Sequence, residues 1–158
     1  MLDELLKYDT ELFLFLNNLG NTSWDGFWRF VTEKWSSIPL YAFLLYLVFK
    51  HYGRKGTLVI IVCVALMITA TDQIASLFKY GIKRPRPCKV EELQSLMRYV
   101  ADGCGRFGYF SAHAASSMAA AVFLGLSLQK WYKYLPFILL LWAVITGYSR
   151  IYLGVHYP

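Results

Sequence analysis

Residues 58–87 read LVIIVCVALMITATDQIASLFKYGIKRPRP, and this stretch decides the fold. Its first part, 58–78, is an apolar run long enough to cross a bilayer as a helix. Pro85 and Pro87 cannot continue that helix, so the bases around them lie on irregular backbone at the membrane boundary. Such a cluster indicates either a topology signal or a binding site for an anionic headgroup. No acidic residue interrupts its five bases, which are Lys79, Lys83, Arg84, Arg86 and Lys89.

The composition of the whole chain is that of a membrane protein. Of its 158 residues, 57% are hydrophobic and 18% are aromatic, and the mean hydropathy is +0.40. A chain of this length predicts a single domain, 1–158. The formal charge of +6 indicates membrane lipid headgroups as partners before nucleic acid, since no nucleic-acid motif is present.

The hydropathy pattern predicts an all-α, polytopic helical bundle. Residues 1–34 alternate acidic and apolar side chains and predict amphipathic helices lying in the membrane interface. Within them, Asp25 and Arg29 are spaced for an ion pair on one helix face. Residues 35–158 form the predicted transmembrane core. Its four spans are predicted at 38–49, 58–78, 110–128 and 135–153, and the third is rich in the small residues that allow close helix packing.

The loops between these spans predict the orientation in the membrane. The short turns 50–56 and 130–134 fall on the same side by parity, and both are basic, which is typical of cytoplasmic loops. The acidic N-terminal segment and the loop 79–110 then lie outside. The bases after the second span are on the wrong side for a topology signal, so the pattern favours a binding site.

The three cysteines divide by position. Cys63 lies within a span, where it is expected to be a small packing residue. Cys88 and Cys104 bracket the external loop and could form a disulfide there, or remain as two free thiols. The chain contains no CxxC or Cys/His spacing typical of zinc, and we predict neither a metal nor a cofactor.

The residues expected on the external face supply the chemistry of phosphate transfer. That reaction needs a nucleophile, an acid for the leaving oxygen and fixed positive charge around the phosphoryl group. His113 and His156 offer the first two, and the neighbouring bases offer the third. Ser111 begins the third span, where helix N–H groups attract anions. Ser149 and His156 are seven apart, so a continuing helix would place them on one face.

Three segments together resemble the signature of the type 2 phosphatidic acid phosphatase superfamily. They are Lys79-x6-Arg86-Pro87, Ser111-Ala112-His113 and Ser149-Arg150-x5-His156. That family consists of metal-independent membrane phosphatases and is related to soluble vanadium haloperoxidases.

The resemblance implies a role for each matching residue. His156 would be the nucleophile that forms a phosphohistidine, and His113 the general acid. Lys79, Arg86, Ser111, Arg150 and the backbone N–H of Ala112 would hold the phosphate.

Two departures from the family pattern stand out. Ala112 replaces the glycine that usually precedes the middle histidine. The family also places an aspartate four residues after the nucleophile, and a further span, both of which would lie beyond Pro158. We therefore expect the chain to be truncated.

The small size of the chain resembles bacterial members of the family, which implies a bacterial inner membrane with the site facing the periplasm or exterior. The resemblance also ranks candidate functions. Undecaprenyl diphosphate is the leading expected substrate, with phosphatidylglycerol phosphate, phosphatidic acid and lipid A phosphates as alternatives. A different class of protein, a non-catalytic carrier or binder of anionic lipids, would need the same cations but not His156.

Overall fold

The structure, a computed structural model, describes residues 2–158; Met1, the first residue of the predicted interfacial segment, lies outside them. Six α-helices occur in this range: α1 (Leu2–Asn18), α2 (Asp25–Thr32), α3 (Ile38–Ile82), α4 (Glu91–Gln94), α5 (Ala112–Leu128) and α6 (Leu135–Tyr152). Short 3-10 turns occur at Thr22–Trp24, Lys34–Ser37 and Pro87–Lys89. No strand occurs between residues 2 and 158, so the predicted all-α class is confirmed.

The long helix α3 is a hairpin of two arms. Gly53, with φ 63° and ψ −173°, leaves the helical region and divides it into arms 38–52 and 54–82. Glycine suits this position because a side chain would disfavour the positive φ. Residues of both arms, from Tyr41 to Val48 and from Ile60 to Ile68, line one apolar cavity, so the arms lie side by side. The predicted turn 50–56 is therefore helical except around Gly53.

The bundle is centred on α5, as its small residues predict. α5 packs against both α3 and α6. At Gly125 an added Cβ would lie 2.9 Å from the Cα of Pro136. The close approach of α5 and α6 therefore requires a residue without a side chain at position 125. The main core cluster joins the two arms of α3 to α5 and α6. It contains the buried residues Leu44, Leu47, Val48, Ile60, Ala121, Leu124, Leu128, Leu139 and Ala143.

Two helical stretches are long and apolar enough to cross a membrane, Trp35–Ile82 and Leu135–Tyr152. Ala112–Leu128 is apolar but, at 17 residues, shorter. Their outward faces carry large exposed side chains, such as Leu58, Leu66, Phe137 and Leu141, each more than 60% exposed. A continuous apolar surface of this kind suits a lipid environment. The predicted count of four spans remains a prediction.

The N-terminal helices pack onto the end of the bundle where α6 finishes. Phe13 and Asn17 of α1 are fully buried there. The Asn17 amide donates 3.0 Å hydrogen bonds to the carbonyls of Arg98, Ile151 and Tyr152, and its oxygen accepts one from the Arg98 N–H. The predicted amphipathic segment thus has a second role, which is to join the loop between α3 and α5 to α6.

The predicted pair of Asp25 with Arg29 is replaced by longer-range partners. Asp25 accepts hydrogen bonds from the Arg98 guanidinium at 2.9 Å and from the Tyr152 hydroxyl at 2.8 Å. Arg29 instead pairs with Asp102 at 3.1 Å. The pKa of Asp25 is lowered: burial opposes the shift, but these two hydrogen bonds and the charge of Arg98 outweigh it. Tertiary contacts here override local helix spacing.

Candidate active site

Three separate elements bring the predicted site residues to one end of the bundle. Lys79 lies in the last turn of α3, Ser111 precedes α5, and Arg150 lies in the last turn of α6. His156 lies four residues beyond the end of α6. Ser111, Arg150 and His156 line a single cavity of about 360 Å³. Arg86, Arg150, Lys79 and His113 all lie near enough to act electrostatically on His156.

His156 is held by a turn rather than by a continuing helix. α6 ends at Tyr152, and Gly154 takes a positive φ of 77°. The chain then folds back, and the N–H groups of Val155 and His156 both donate to the Arg150 carbonyl, at 3.1 and 3.3 Å. The expectation that a helix carries Ser149 and His156 on one face is therefore wrong. Ser149 is fully buried and donates to the Thr146 carbonyl at 2.7 Å, which is a structural contact.

Arg86 is fixed by the loop that follows the basic stretch. Its Nε donates to the Phe107 carbonyl at 3.0 Å, and its N–H donates to the Arg106 carbonyl. Because these contacts orient the guanidinium before any ligand binds, little side-chain entropy is lost on binding. The same loop is joined near its ends by Cys88 and Cys104, which form a disulfide with their Cα atoms 6.5 Å apart.

Gly108 is a site residue that the sequence did not reveal. A Cβ added there would lie 2.9 Å from the Arg86 Cγ and 3.0 Å from the His156 Cε1. The backbone of Gly108 therefore fits between the two side chains, and its N–H donates to the Arg84 carbonyl at 3.0 Å. A lone glycine in a polar loop gave no signal of this contact.

His156 is 3% exposed. Burial is the main reason that its pKa is lowered from 6.5 to about 3, and the neighbouring Arg86, Arg150, Lys79 and His113 contribute to the same shift. The imidazole is thus neutral at physiological pH and keeps a lone pair on one ring nitrogen. Burial also lowers the pKa of Arg86, which still remains a cation at neutral pH. The site combines a neutral, buried imidazole with fixed positive charge.

Two nitrogens of the Arg150 guanidinium differ in their hydrogen bonding. Its Nη1 donates to the Thr32 hydroxyl oxygen at 2.6 Å. Its Nε is buried and has no hydrogen-bond partner among residues 2–158. A buried guanidinium N–H without a partner is costly, and an oxygen of a bound phosphate would satisfy it. Thr32, in the amphipathic segment, is a second contact that the sequence gave no reason to expect.

The start of α5 supplies the remaining groups. The Ser111 hydroxyl accepts a hydrogen bond from the Ala114 N–H at 3.3 Å and so caps the helix. The N–H of Ala112 lies in the first turn, where the helix dipole favours an anion. His113 faces a different space. With Thr32, Glu33, Asp72 and Ser116 it lines a larger cavity of about 570 Å³.

Tyr157, next to His156, is anchored from the N-terminal helix. The Arg84 guanidinium lies 3.6 Å from the centre of the Tyr157 ring and forms an ion pair with Asp9 at 2.6 Å. Phe13 packs on the edge of the same ring. Burial raises the pKa of Tyr157, so this hydroxyl is neutral at physiological pH. Arg84 therefore serves packing, whereas Arg86 faces the site.

The fold and this site define an all-helical protein with a cationic, histidine-containing pocket at one end of an apolar bundle. Comparison with known proteins makes the class specific. The chain belongs to the PAP2 superfamily, the type 2 phosphatidic acid phosphatases, whose family model matches residues 56–158. The membership predicted from the three motifs is therefore confirmed.

Curated relatives of the chain are lipid phosphatases. It is 37% identical to lipid A 4'-phosphatase of Bacteroides thetaiotaomicron, across 100% of this chain and 71% of that protein. It is 27% identical to lipid A 4'-phosphatase of Porphyromonas gingivalis, across 99% of this chain and 66% of that protein. It is 29% identical to undecaprenyl-diphosphatase of Sulfolobus acidocaldarius, across 99% of this chain and 71% of that protein. No solved structure gives a significant match.

Proposed function

We propose that this protein is a membrane phosphatase that releases phosphate from a lipid through a phosphohistidine at His156. The observation that carries the proposal is a buried imidazole, neutral at physiological pH, surrounded by Arg86, Arg150 and Lys79. A phosphoryl group bound there would satisfy the unpaired Arg150 Nε and offset the mutual repulsion of the cations. These are the requirements of a phosphate site and of a nucleophile within it.

In the proposed reaction, His156 is the nucleophile and His113 is the general acid. A ring nitrogen of His156 forms a bond to phosphorus with its lone pair while the bond from phosphorus to the lipid oxygen breaks. His113 gives its proton to that departing oxygen. A water molecule then gives a proton back to His113 while its oxygen bonds to phosphorus and the bond from phosphorus to His156 breaks. Inorganic phosphate is released, and His156 is again neutral and His113 again protonated. Arg86, Arg150, Lys79 and the Ala112 N–H stabilise the charge on the phosphoryl oxygens throughout.

The cavity beside His113 bears on the substrate, because a leaving group protonated by His113 would occupy it. Its wall mixes apolar and polar side chains, and the polar ones include two carboxylates, Glu33 and Asp72. A diphosphate would place a second phosphate against these carboxylates, and like charges repel. The hydroxyls of a sugar would instead form hydrogen bonds with them.

We therefore rank a phosphate monoester on a glycolipid headgroup, such as a lipid A phosphate, above undecaprenyl diphosphate. The two relatives named lipid A 4'-phosphatase support this order. Phosphatidic acid and phosphatidylglycerol phosphate remain alternatives, because each also presents a phosphate monoester.

We also propose that the chain crosses the membrane four times, with the site at the external face. The basic turns at the other end of the bundle support this arrangement. His51 and Tyr132, one from each turn, lie 3.0 Å apart, and the His51 ring stacks on Trp131. Both turns thus lie together, away from the site residues, as parity requires for cytoplasmic loops.

Phosphate release by the purified protein from a lipid A preparation tests the proposal. Wild type is expected to release phosphate, and His156→Ala to release none. His51→Ala, which changes a histidine at the opposite end, is the matched control and should retain activity. Equal release by wild type and His156→Ala, or binding of the lipid with no release by either, would favour the non-catalytic carrier instead.

A further inference from the structure

A third cavity, of about 340 Å³ and lined by apolar side chains, lies between the two arms of α3 and one face of α5. Its floor is buried and includes Leu44, Val48, Ile60, Ala120 and Leu124. Its rim is exposed on the outward face of the hairpin, at Leu45, Ile61 and Ala65. The cavity is therefore a groove with a deep apolar floor that opens sideways, towards the region a bilayer would occupy.

The groove adjoins the cavity that contains His113, because Tyr41 and Ile68 line both spaces. From Ile60 to Ile68, eight helical steps extend along the groove for about 12 Å at 1.5 Å per residue. Polarity changes along this path, from carboxylates and hydroxyls beside His113 to hydrocarbon side chains beyond Ile68. A molecule that fits both parts has a polar head and an apolar tail.

We propose that this groove binds one acyl chain of the lipid substrate, with the headgroup in the cavity beside His113. The proposal rests on the proposed lipid phosphatase function, and it adds the residues that recognise the chain. The chain would pack against Leu44, Val48 and Ile60, and the complex would be stabilised by van der Waals contacts with these side chains. The chain enters from the side between Leu45 and Ala65, so the lipid need not leave the membrane to reach the site.

Filling the groove tests this assignment. Ala65 and Ala70 are both exposed on the second arm, but only Ala65 lines the groove. Ala65→Trp is expected to raise KM for dioleoyl phosphatidic acid in mixed micelles about tenfold, because the indole would occupy the groove and remove the van der Waals contacts of the chain. Hydrolysis of p-nitrophenyl phosphate, which has no acyl chain, should not change. Ala70→Trp should leave both activities at the wild-type level.

A photoreactive phosphatidic acid, with a diazirine in the middle of one acyl chain, detects binding of that chain in the groove without requiring catalysis. In wild type and in His156→Ala, cross-links should map to 60–68 and to Ala120 or Leu124. Ala65→Trp should lose them and Ala70→Trp should keep them. Cross-links without phosphate release would reject the phosphatase function and retain the groove. Cross-links unchanged by Ala65→Trp, or equal loss of both activities in a folded Ala65→Trp protein, would reject the groove.

Discussion

The environment of His156 has a consequence for stability as well as for the proposed catalysis. Its pKa is about 3 in the folded chain and about 6.5 when exposed, mainly because of burial. The unfolded chain therefore takes up a proton as pH falls below 6.5 while the folded chain does not, and folding stability falls from pH 7 towards pH 4. His156→Gln, which stays neutral, should show a smaller loss of melting temperature over that range. The measurement is thermal unfolding in detergent at several pH values.

His51→Gln is the control for that comparison, since it removes a histidine from the opposite end. It should keep the wild-type dependence on pH between 7 and 4. If His156→Gln and wild type lost stability in parallel, the neutral buried imidazole would be ruled out.

At Arg150 the geometry of the donor matters more than its charge. The guanidinium donates to Thr32 and still has a buried Nε for the phosphate. Lysine would keep the charge but could not supply both donors in a fixed plane. Arg150→Lys should therefore lower kcat by about a hundredfold, the loss typical of one oxyanion donor. Lys133→Arg exchanges the same two residue types at the opposite end of the bundle. It serves as the control and should not alter kcat.

Vanadate, a tetrahedral anion that resembles phosphate, should bind among the same cations. It is expected to inhibit phosphate release and to raise the melting temperature, because it binds the folded chain only. Arg86→Ala should weaken both effects together. Since the proposed reaction uses side chains alone, EDTA should leave the activity unchanged, and its loss with EDTA would contradict the mechanism.

At the level of elements, the loop between α3 and α5 depends on its cross-link. The disulfide between Cys88 and Cys104 joins the loop that holds Arg86. Closing a loop of this size stabilises a fold by about 3 kcal/mol in the chain-entropy model. Cys88→Ser should lower the melting temperature and the activity, whereas Cys63→Ser should change neither. Mass spectrometry should show a bonded 88–104 pair that reduction opens, and two free thiols before reduction would contradict the pairing.

Some elements could be predicted from sequence and others could not, for a physical reason. The arms of α3, α5 and α6 follow from apolar runs, and the three motifs follow from spacing within short segments. Thr32 reaches Arg150 across 118 positions, and Gly108 joins the site by close packing, so neither has a local pattern. The turn that holds His156 was missed because helix spacing alone ignored the preference of Gly154 for a left-handed turn.

For the whole molecule, the orientation in the membrane decides which leaflet supplies the lipid. Lys133 lies exposed at the end with the two basic turns, and Glu92 lies exposed in the loop at the site end. In a Cys63→Ser background, an impermeant maleimide should label Glu92→Cys from outside intact cells. It should label Lys133→Cys only after permeabilisation, because short basic loops stay in the cytoplasm. The reverse pattern would place the site on the cytoplasmic face and exclude lipids of the outer leaflet as its substrates.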